Sequence, residues 1–129
     1  MSANAKVFEK VLVCVVDDDS LIRDSTQRLL RSFGFRAETF ASAEEFRNSG
    51  CLAETACLIL DVRMPGMSGI EFQRQLVASH CEIPVIFITA YEDEGMRAQA
   101  LRDGVAALLI KPFSEQALIN AINEALTSK

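Results

Sequence analysis

Hydrophobic residues in this chain fall into short runs that are separated by longer segments of mixed polarity. The runs predict β-strands over Val11–Val16, Phe35–Phe40, Ala56–Asp61, Val85–Thr89 and Ala107–Ile110. Most of these runs are apolar throughout, as in strands that are buried on both faces of a parallel sheet. The run at 35–40 alternates only weakly between apolar and polar positions. The pattern therefore indicates an α/β protein.

The segments between the strands predict helices with one apolar face each. They cover approximately residues 21–33, 43–48, 69–79, 92–103 and 115–126. Residues 42–45 and 68–71 each have serine followed three positions later by glutamate, the spacing of a capping box. Glu92, Asp93 and Glu94 place acids where a helix dipole favours them, and Gly34 is suited to end the first helix. On the third helix we expect Ile70, Leu76 and Val77 to point inward.

Five strands alternating with five helices predict a doubly wound fold. Because parallel crossovers are right-handed, the helices are expected on both faces of the sheet. We predict the strand order 2-1-3-4-5, the commonest five-strand solution, which places the ends of strands one and three side by side. No linker, repeat or low-complexity segment interrupts the pattern, so residues 1–129 are expected to form one domain without an output domain.

Composition narrows the possible functions. The formal net charge is −5, which argues against direct nucleic-acid binding. No apolar stretch is long enough for a membrane span, and Met1 to Lys10 lacks a signal-peptide core, so we expect a cytoplasmic protein. The four cysteines form no CxxC pair and His80 is the only histidine, which makes a zinc site improbable. We interpret Cys14 and Cys57 as core residues in a reducing compartment.

Acidic residues follow two of the predicted strands directly. Asp17, Asp18 and Asp19 follow the first strand, and Asp61 ends the third. In the predicted order, Asp17, Asp18 and Asp61 converge at one edge of the sheet, where their like charges would raise each other's pKa. A hard divalent cation removes this cost, and Mg²⁺ is the expected ion because it prefers oxygen ligands. The alternative is that the acids only cap the next helix, which suits Asp19 and could suit Asp18 but does not explain Asp61.

Two further groups are predicted at the same edge. Thr89 ends the fourth strand and Lys111 follows the fifth, so a hydroxyl and an ammonium join the carboxylates. Ala90 is small enough to let a phosphoryl group approach its backbone N–H. A carboxylate nucleophile, a cation and donors for phosphate oxygens are the groups needed to accept a phosphoryl group.

The motifs resemble the receiver domain of two-component response regulators, which has a flavodoxin-like fold. They are the segments 15–19, 60–69, 87–90 and 111–113, and the resemblance spans about Lys10 to Leu126. The string from Asp61 to Gly69 is most similar to the branch with helix-turn-helix output domains, which regulates transcription. The resemblance implies a phosphorylation-dependent switch that shifts the face formed by helix 4, strand 5 and helix 5.

The resemblance also implies residue roles and partners. Asp61 would accept the phosphoryl group from the phosphohistidine of a sensor histidine kinase or a phosphotransfer protein. Mg²⁺ would be held by Asp18, Asp61 and the backbone carbonyl of Arg63, with Asp17 contributing partly through water. Lys111, preceding a cis proline, would hold a phosphoryl oxygen, and Thr89 would move toward the phosphate. The resemblance further implies a regulatory domain that catalyses its own phosphoryl transfer and dephosphorylation, and it allows dimerisation on phosphorylation.

One position departs from the family pattern, and two alternatives remain open. Leu108 stands where the family usually has an aromatic switch residue, so coupling from Thr89 is expected to be weaker or to pass through backbone and helix movement. A haloacid-dehalogenase-type phosphatase also uses aspartate, magnesium and lysine, but its signature threonine is replaced here by Leu21. A degenerate receiver that only binds partners is disfavoured by the complete set of site residues.

Overall fold

The computed structural model describes residues 11–90 and 93–127. Within them the chain alternates strictly between strands and helices. The strands are β1 (Leu12–Val16), β2 (Arg36–Phe40), β3 (Thr55–Asp61), β4 (Val85–Thr89) and β5 (Ala107–Ile110). The helices are α1 (Ser20–Ser32), α2 (Ala43–Asn48), α3 (Gly69–Ala78), α4 (Glu94–Arg102) and α5 (Glu115–Thr127), with a short 3-10 turn at Leu52–Glu54.

The five strands form one parallel sheet in the order β2-β1-β3-β4-β5, as predicted. Alternate residues of each strand pack on opposite faces. In β1, Cys14 and Val16 join the core beneath α2, α3 and α4, while Val13 and Val15 join the core beneath α1 and α5. The sheet is therefore buried on both faces, which explains why its strands read as continuous apolar runs.

The structure refines two predictions about helix ends. Ser68 and Glu71 form a reciprocal capping box at the start of α3, as predicted. At α2, Ser42 accepts from the Glu45 N–H, but the Glu45 carboxylate accepts from the N–H of Ala41 rather than from that of Ser42. The hydrogen bond to the Glu45 carboxylate therefore comes from the residue before the N-cap and not from the N-cap itself. Asp93 is the N-cap of α4, and Glu92 lies outside the described residues.

The inward face of α3 was predicted only in part. Leu76 is buried and Ile70 is half-buried against the core, as expected. Val77 is 53% exposed, so its predicted inward position is wrong. Phe72 occupies the core instead and makes an edge-to-face contact with Phe46. The helix is rotated so that this larger ring, four residues before Leu76, fills the space above the sheet.

The expectations for two cysteines and for one helix end are met. Cys14 and Cys57 are fully buried free thiols in the two cores. Gly34 has φ +93°, the left-handed conformation expected of a residue that follows a helix end. Within residues 11–90 and 93–127, no helix combines the length and apolar character needed to cross a bilayer.

Candidate functional site

The candidate site lies at the carboxyl ends of β1, β3, β4 and β5. Because β1 and β3 are hydrogen-bonded neighbours, with Val16 opposite Leu60, the residues that follow them meet at one edge. Asp17, Asp18 and Asp61 each place a carboxylate oxygen within 4.8 Å of the other two. Asp17 and Asp61 are buried, whereas Asp18 is exposed to solvent. The sequence prediction that these three acids converge is confirmed.

Lys111 reaches the same cluster from the end of β5. Its Nζ lies 2.9 Å from Asp17 Oδ2 and 3.6 Å from Asp61 Oδ2. Its backbone N–H donates to the carbonyl of Thr89 at 2.7 Å, which holds the end of β5 against the end of β4. The peptide bond from Lys111 to Pro112 is cis, as the resemblance implied. One ammonium therefore touches two carboxylates that are far apart in the chain.

Protonation of Asp61 is strongly affected by these surroundings. Burial and the nearby Asp17 carboxylate raise the pKa of Asp61 to about 7, against the opposing effects of Lys111 and the Arg63 backbone N–H. Burial by itself would lower the pKa of Lys111, but its close contact with the Asp17 carboxylate and the neighbouring acids raise it. The site thus holds more negative charge than one lysine compensates.

The donor set fits a hard divalent cation such as Mg²⁺. All three side chains offer carboxylate oxygens, and Asp18 stands at the solvent side where an ion and its waters can enter. The buried Oδ2 of Asp17 is paired with Lys111 but receives no well-directed hydrogen bond from the described residues. Since a buried carboxylate oxygen normally has such a partner, this atom has capacity for a further positive ligand.

The other predicted site residues lie close to this edge in the fold. Thr89 is the last residue of β4 and is fully buried, and the exposed Ala90 follows it. The Arg63 backbone N–H approaches Asp61 Oδ1 at 3.4 Å. The exception is Leu108, which lies within β5 opposite Phe87 of β4 and is buried in the core that Ala100 of α4 also joins.

Asp19 has the role that the helix-cap alternative gave it. Its side chain accepts from the Leu21 N–H at 2.9 Å and caps α1, while its own N–H donates to Asp17 Oδ1 at 2.9 Å. The cap alternative is therefore correct for Asp19 but does not account for the cluster of Asp17, Asp18 and Asp61.

Two contacts at the site were not anticipated from the sequence. Arg23 Nη1 donates to the Asp17 backbone carbonyl at 2.8 Å and so ties the first turn of α1 to the end of β1. Gly69 packs against the backbone of Asp61 and Val62. Neither an arginine in the first turn of a helix nor a glycine at its first position is enough to identify such a contact from the sequence.

Comparisons with known proteins agree with this geometry. Residues 13–123 match the family of response regulator receiver domains. The chain is 42% identical over 113 residues to nodulation protein W of Bradyrhizobium diazoefficiens, covering 88% of this chain and 50% of that protein. It is 40% identical over 114 residues to transcriptional regulatory protein TdiR of Thauera aromatica, covering 88% of this chain and 50% of that protein.

A solved structure supports the same relationship in three dimensions. The response regulator receiver protein from Burkholderia phymatum superposes with a TM-score of 0.80 at 42% identity, covering 93% of this chain and 98% of that one. The chain spans about half the length of the curated relatives it matches. From the family match, the shared fold and the acidic pocket together, the chain belongs to the response regulator receiver domain family.

Proposed function

We propose that this domain is a phosphorylation-dependent switch whose phosphoryl acceptor is Asp61. The observation that supports this most strongly is the convergence of Lys111 Nζ on both Asp17 and Asp61, beside the exposed carboxylate of Asp18. A lone buried aspartate would be a poor anionic nucleophile, because burial keeps it protonated. Here a lysine and a proposed Mg²⁺ would hold Asp61 in its ionised form.

In the proposed reaction, an Asp61 carboxylate oxygen forms a bond to phosphorus while the bond from phosphorus to the donor's nitrogen or oxygen breaks. The donor group leaves with the electron pair of that bond. Lys111 is positioned to hold one phosphoryl oxygen, and Thr89 and the Ala90 N–H would hold others. Bound Mg²⁺, held by Asp17, Asp18, Asp61 and the Arg63 carbonyl, would neutralise charge on the phosphoryl oxygens.

The proposed donor is the phosphohistidine of a sensor kinase or a phosphotransfer protein. Phosphorylation would add negative charge at an edge where Lys111 is already shared between two acids. Drawing Lys111 and Thr89 toward the phosphate would bias β4, β5 and the helices packed on them. Leu108 of β5 is buried in the same core as Ala100 of α4, so we propose that the signal passes through helix packing.

The output is proposed to be transcription, since relatives such as TdiR are described as transcriptional regulatory proteins. Family membership favours a regulatory domain over the phosphatase alternative, whose signature threonine is replaced by Leu21. The intact set of Asp17, Asp18, Asp61 and Lys111 likewise favours a phosphorylated receiver over a purely binding module.

Labelling with acetyl phosphate tests this function directly. The wild-type protein should gain one phosphoryl group in the presence of Mg²⁺ and none in excess EDTA, as measured by intact mass. Asp61→Asn should gain none in either condition. Asp24→Asn, which changes an exposed carboxylate on α1, is the matched control and should be labelled like wild type. Labelling of Asp61→Asn at the wild-type rate would contradict the proposal.

A further inference from the structure

The start of α3 lies directly against the backbone at the end of β3. Gly69 is the first residue of α3 and is buried, and its N–H donates to the Val62 carbonyl at 2.9 Å. A β-carbon at position 69 would lie 3.0 Å from both the Asp61 carbonyl carbon and Val62 Cα, and would overlap the Asp61 carbonyl oxygen. These are backbone atoms, so no side-chain rotation can relieve the overlap.

The contact falls on the peptide unit that carries the proposed phosphoryl acceptor. The Asp61 side chain must keep its oxygen near Lys111 Nζ, at 3.6 Å, and near the carboxylate of Asp17. Its backbone also leads into Arg63, whose N–H approaches Asp61 Oδ1 at 3.4 Å. A displacement of the Asp61 to Val62 peptide would therefore move the acceptor carboxylate and the Arg63 carbonyl together.

The helix cannot simply retreat from an added β-carbon. Phe72, one turn along α3, is buried in the core and makes an edge-to-face contact with Phe46, which holds this end of the helix in place. The Asp61 to Val62 peptide is also held, because the Val62 N–H donates to the Ile88 carbonyl of β4 at 2.9 Å and the Val62 side chain is buried in the core. Because packed elements on both sides resist movement, relief of the overlap would strain the backbone that carries Asp61.

We propose that Gly69 is a positioning residue for phosphoryl transfer. Because it has no side chain, α3 can pack directly against the backbone that determines the position of the Asp61 carboxylate. This inference rests on the function proposed above. It assigns to Gly69 no contact with the phosphoryl group or the cation. Its effect passes through the backbone of Asp61 and Val62.

Gly69→Ala tests the inference, with Gly95→Ala as the matched control. Gly95 is also in the first turn of a helix, but a β-carbon there would meet only the side chain of Asp93, at 3.4 Å. Both substitutions replace glycine with alanine, so they raise the intrinsic helix propensity by the same amount. At saturating Mg²⁺ and acetyl phosphate, we expect Gly69→Ala to be phosphorylated about tenfold or more slowly than wild type, because small misplacements of reacting groups are costly. Gly95→Ala should stay within about twofold of wild type.

Ser68→Ala separates positioning from loss of stability. It removes the cap of the same helix without adding an atom near Asp61, and should lower the urea midpoint while leaving the rate at saturation within about twofold of wild type. The inference is overturned if folded Gly69→Ala is phosphorylated at the wild-type rate. It is also overturned if the rates of both α3 variants fall in proportion to their urea midpoints.

If Gly69→Ala does not fold, the wild-type protein supplies the test. On addition of MgCl₂, the amide resonance of Gly69 should shift along with that of Arg63, while that of Gly95 should stay in place. An unmoved Gly69 resonance would overturn the inference. Failure of wild-type protein to be labelled at all would instead overturn the proposed function, so the two failures are distinguishable.

Discussion

At the scale of single residues, Asp61 shows how its neighbours determine the protonation of a carboxyl group. Burial comes first among the causes that raise its pKa to about 7, and the adjacent Asp17 comes second. Without a cation, the folded protein therefore binds a proton at Asp61 more tightly than the unfolded chain does. The stability that this proton contributes is present at low pH and is lost as pH rises toward about 7.

This predicts a pH-dependent effect of Asp61→Asn in EDTA. Between about pH 4 and about pH 7, the free energy of unfolding of wild type should fall relative to that of the variant. At pH 8 the variant should be more stable by about 1–2 kcal/mol, because its neutral amide avoids a buried charge next to Asp17. Urea unfolding at several pH values measures this difference. A stability difference that is constant with pH would contradict the raised pKa of Asp61. Saturating Mg²⁺ should reduce the difference in stability at pH 8.

The cysteines give a second prediction at this scale. Burial raises the pKa of the Cys14 thiol to about 11 and that of Cys57 to about 12, so thiolate is scarce at both. Cys51 and Cys81 are only half-buried. Iodoacetamide should therefore alkylate Cys51 and Cys81 first in the native protein, as followed by peptide mass mapping. Equal alkylation rates at all four cysteines under native conditions would contradict the described packing. As a control, unfolding in urea should make the four rates similar.

At the scale of elements, α3 illustrates what an apolar pattern does and does not determine. Ile70, Phe72, Leu76 and Val77 are all apolar, and the sequence alone allows more than one choice of buried face. The observed face is selected by Phe72, which packs against Phe46 of α2 at a ring distance of 6.0 Å. That partner lies on another element, so the choice depends on tertiary packing that periodicity cannot supply.

A pair of truncations tests this orientation. Phe72→Ala should lower the free energy of unfolding by about 3–5 kcal/mol, because it leaves a cavity beside Phe46. Val77→Ala should change it by only about 0.5 kcal/mol, since Val77 is 53% exposed. Urea unfolding of both variants gives the comparison. A larger loss for Val77→Ala than for Phe72→Ala would mean that α3 is rotated from the position described here.

At the scale of the whole molecule, the fold brings together residues that are distant in the chain. The residues at the strand ends could be predicted because each acid or lysine directly follows an apolar run, whereas the strand order was expected only as the commonest five-strand solution. Convergence of Asp17, Asp61 and Lys111 then follows from parallel strands in that order. The contacts of Arg23 and Gly69 could not be derived in this way, since they depend on how closely helices approach the strand ends.

The same reasoning explains why the site's electrostatics required the structure. The sequence predicts three acids and a lysine at one edge of the sheet. It does not predict that Asp17 and Asp61 are buried while Asp18 faces solvent. This division leaves one acid accessible for an entering ion and one buried pair bridged by Lys111.

We expect Lys111→Met to reduce the rate of phosphorylation by acetyl phosphate about 100-fold, because the substitution removes a positive charge that would contact the transferred group. A rate within about twofold of wild type would contradict its proposed role.

The measurement that tests the central proposal most directly is the identity of the phosphorylated residue. Protein treated with acetyl phosphate and Mg²⁺ is reduced with borohydride, which converts an aspartyl phosphate to homoserine, and is then mapped by peptide mass spectrometry. The proposal predicts modification of Asp61 alone, dependent on Mg²⁺. Modification of Asp17 or Asp18 in place of Asp61, or of no aspartate, would contradict it.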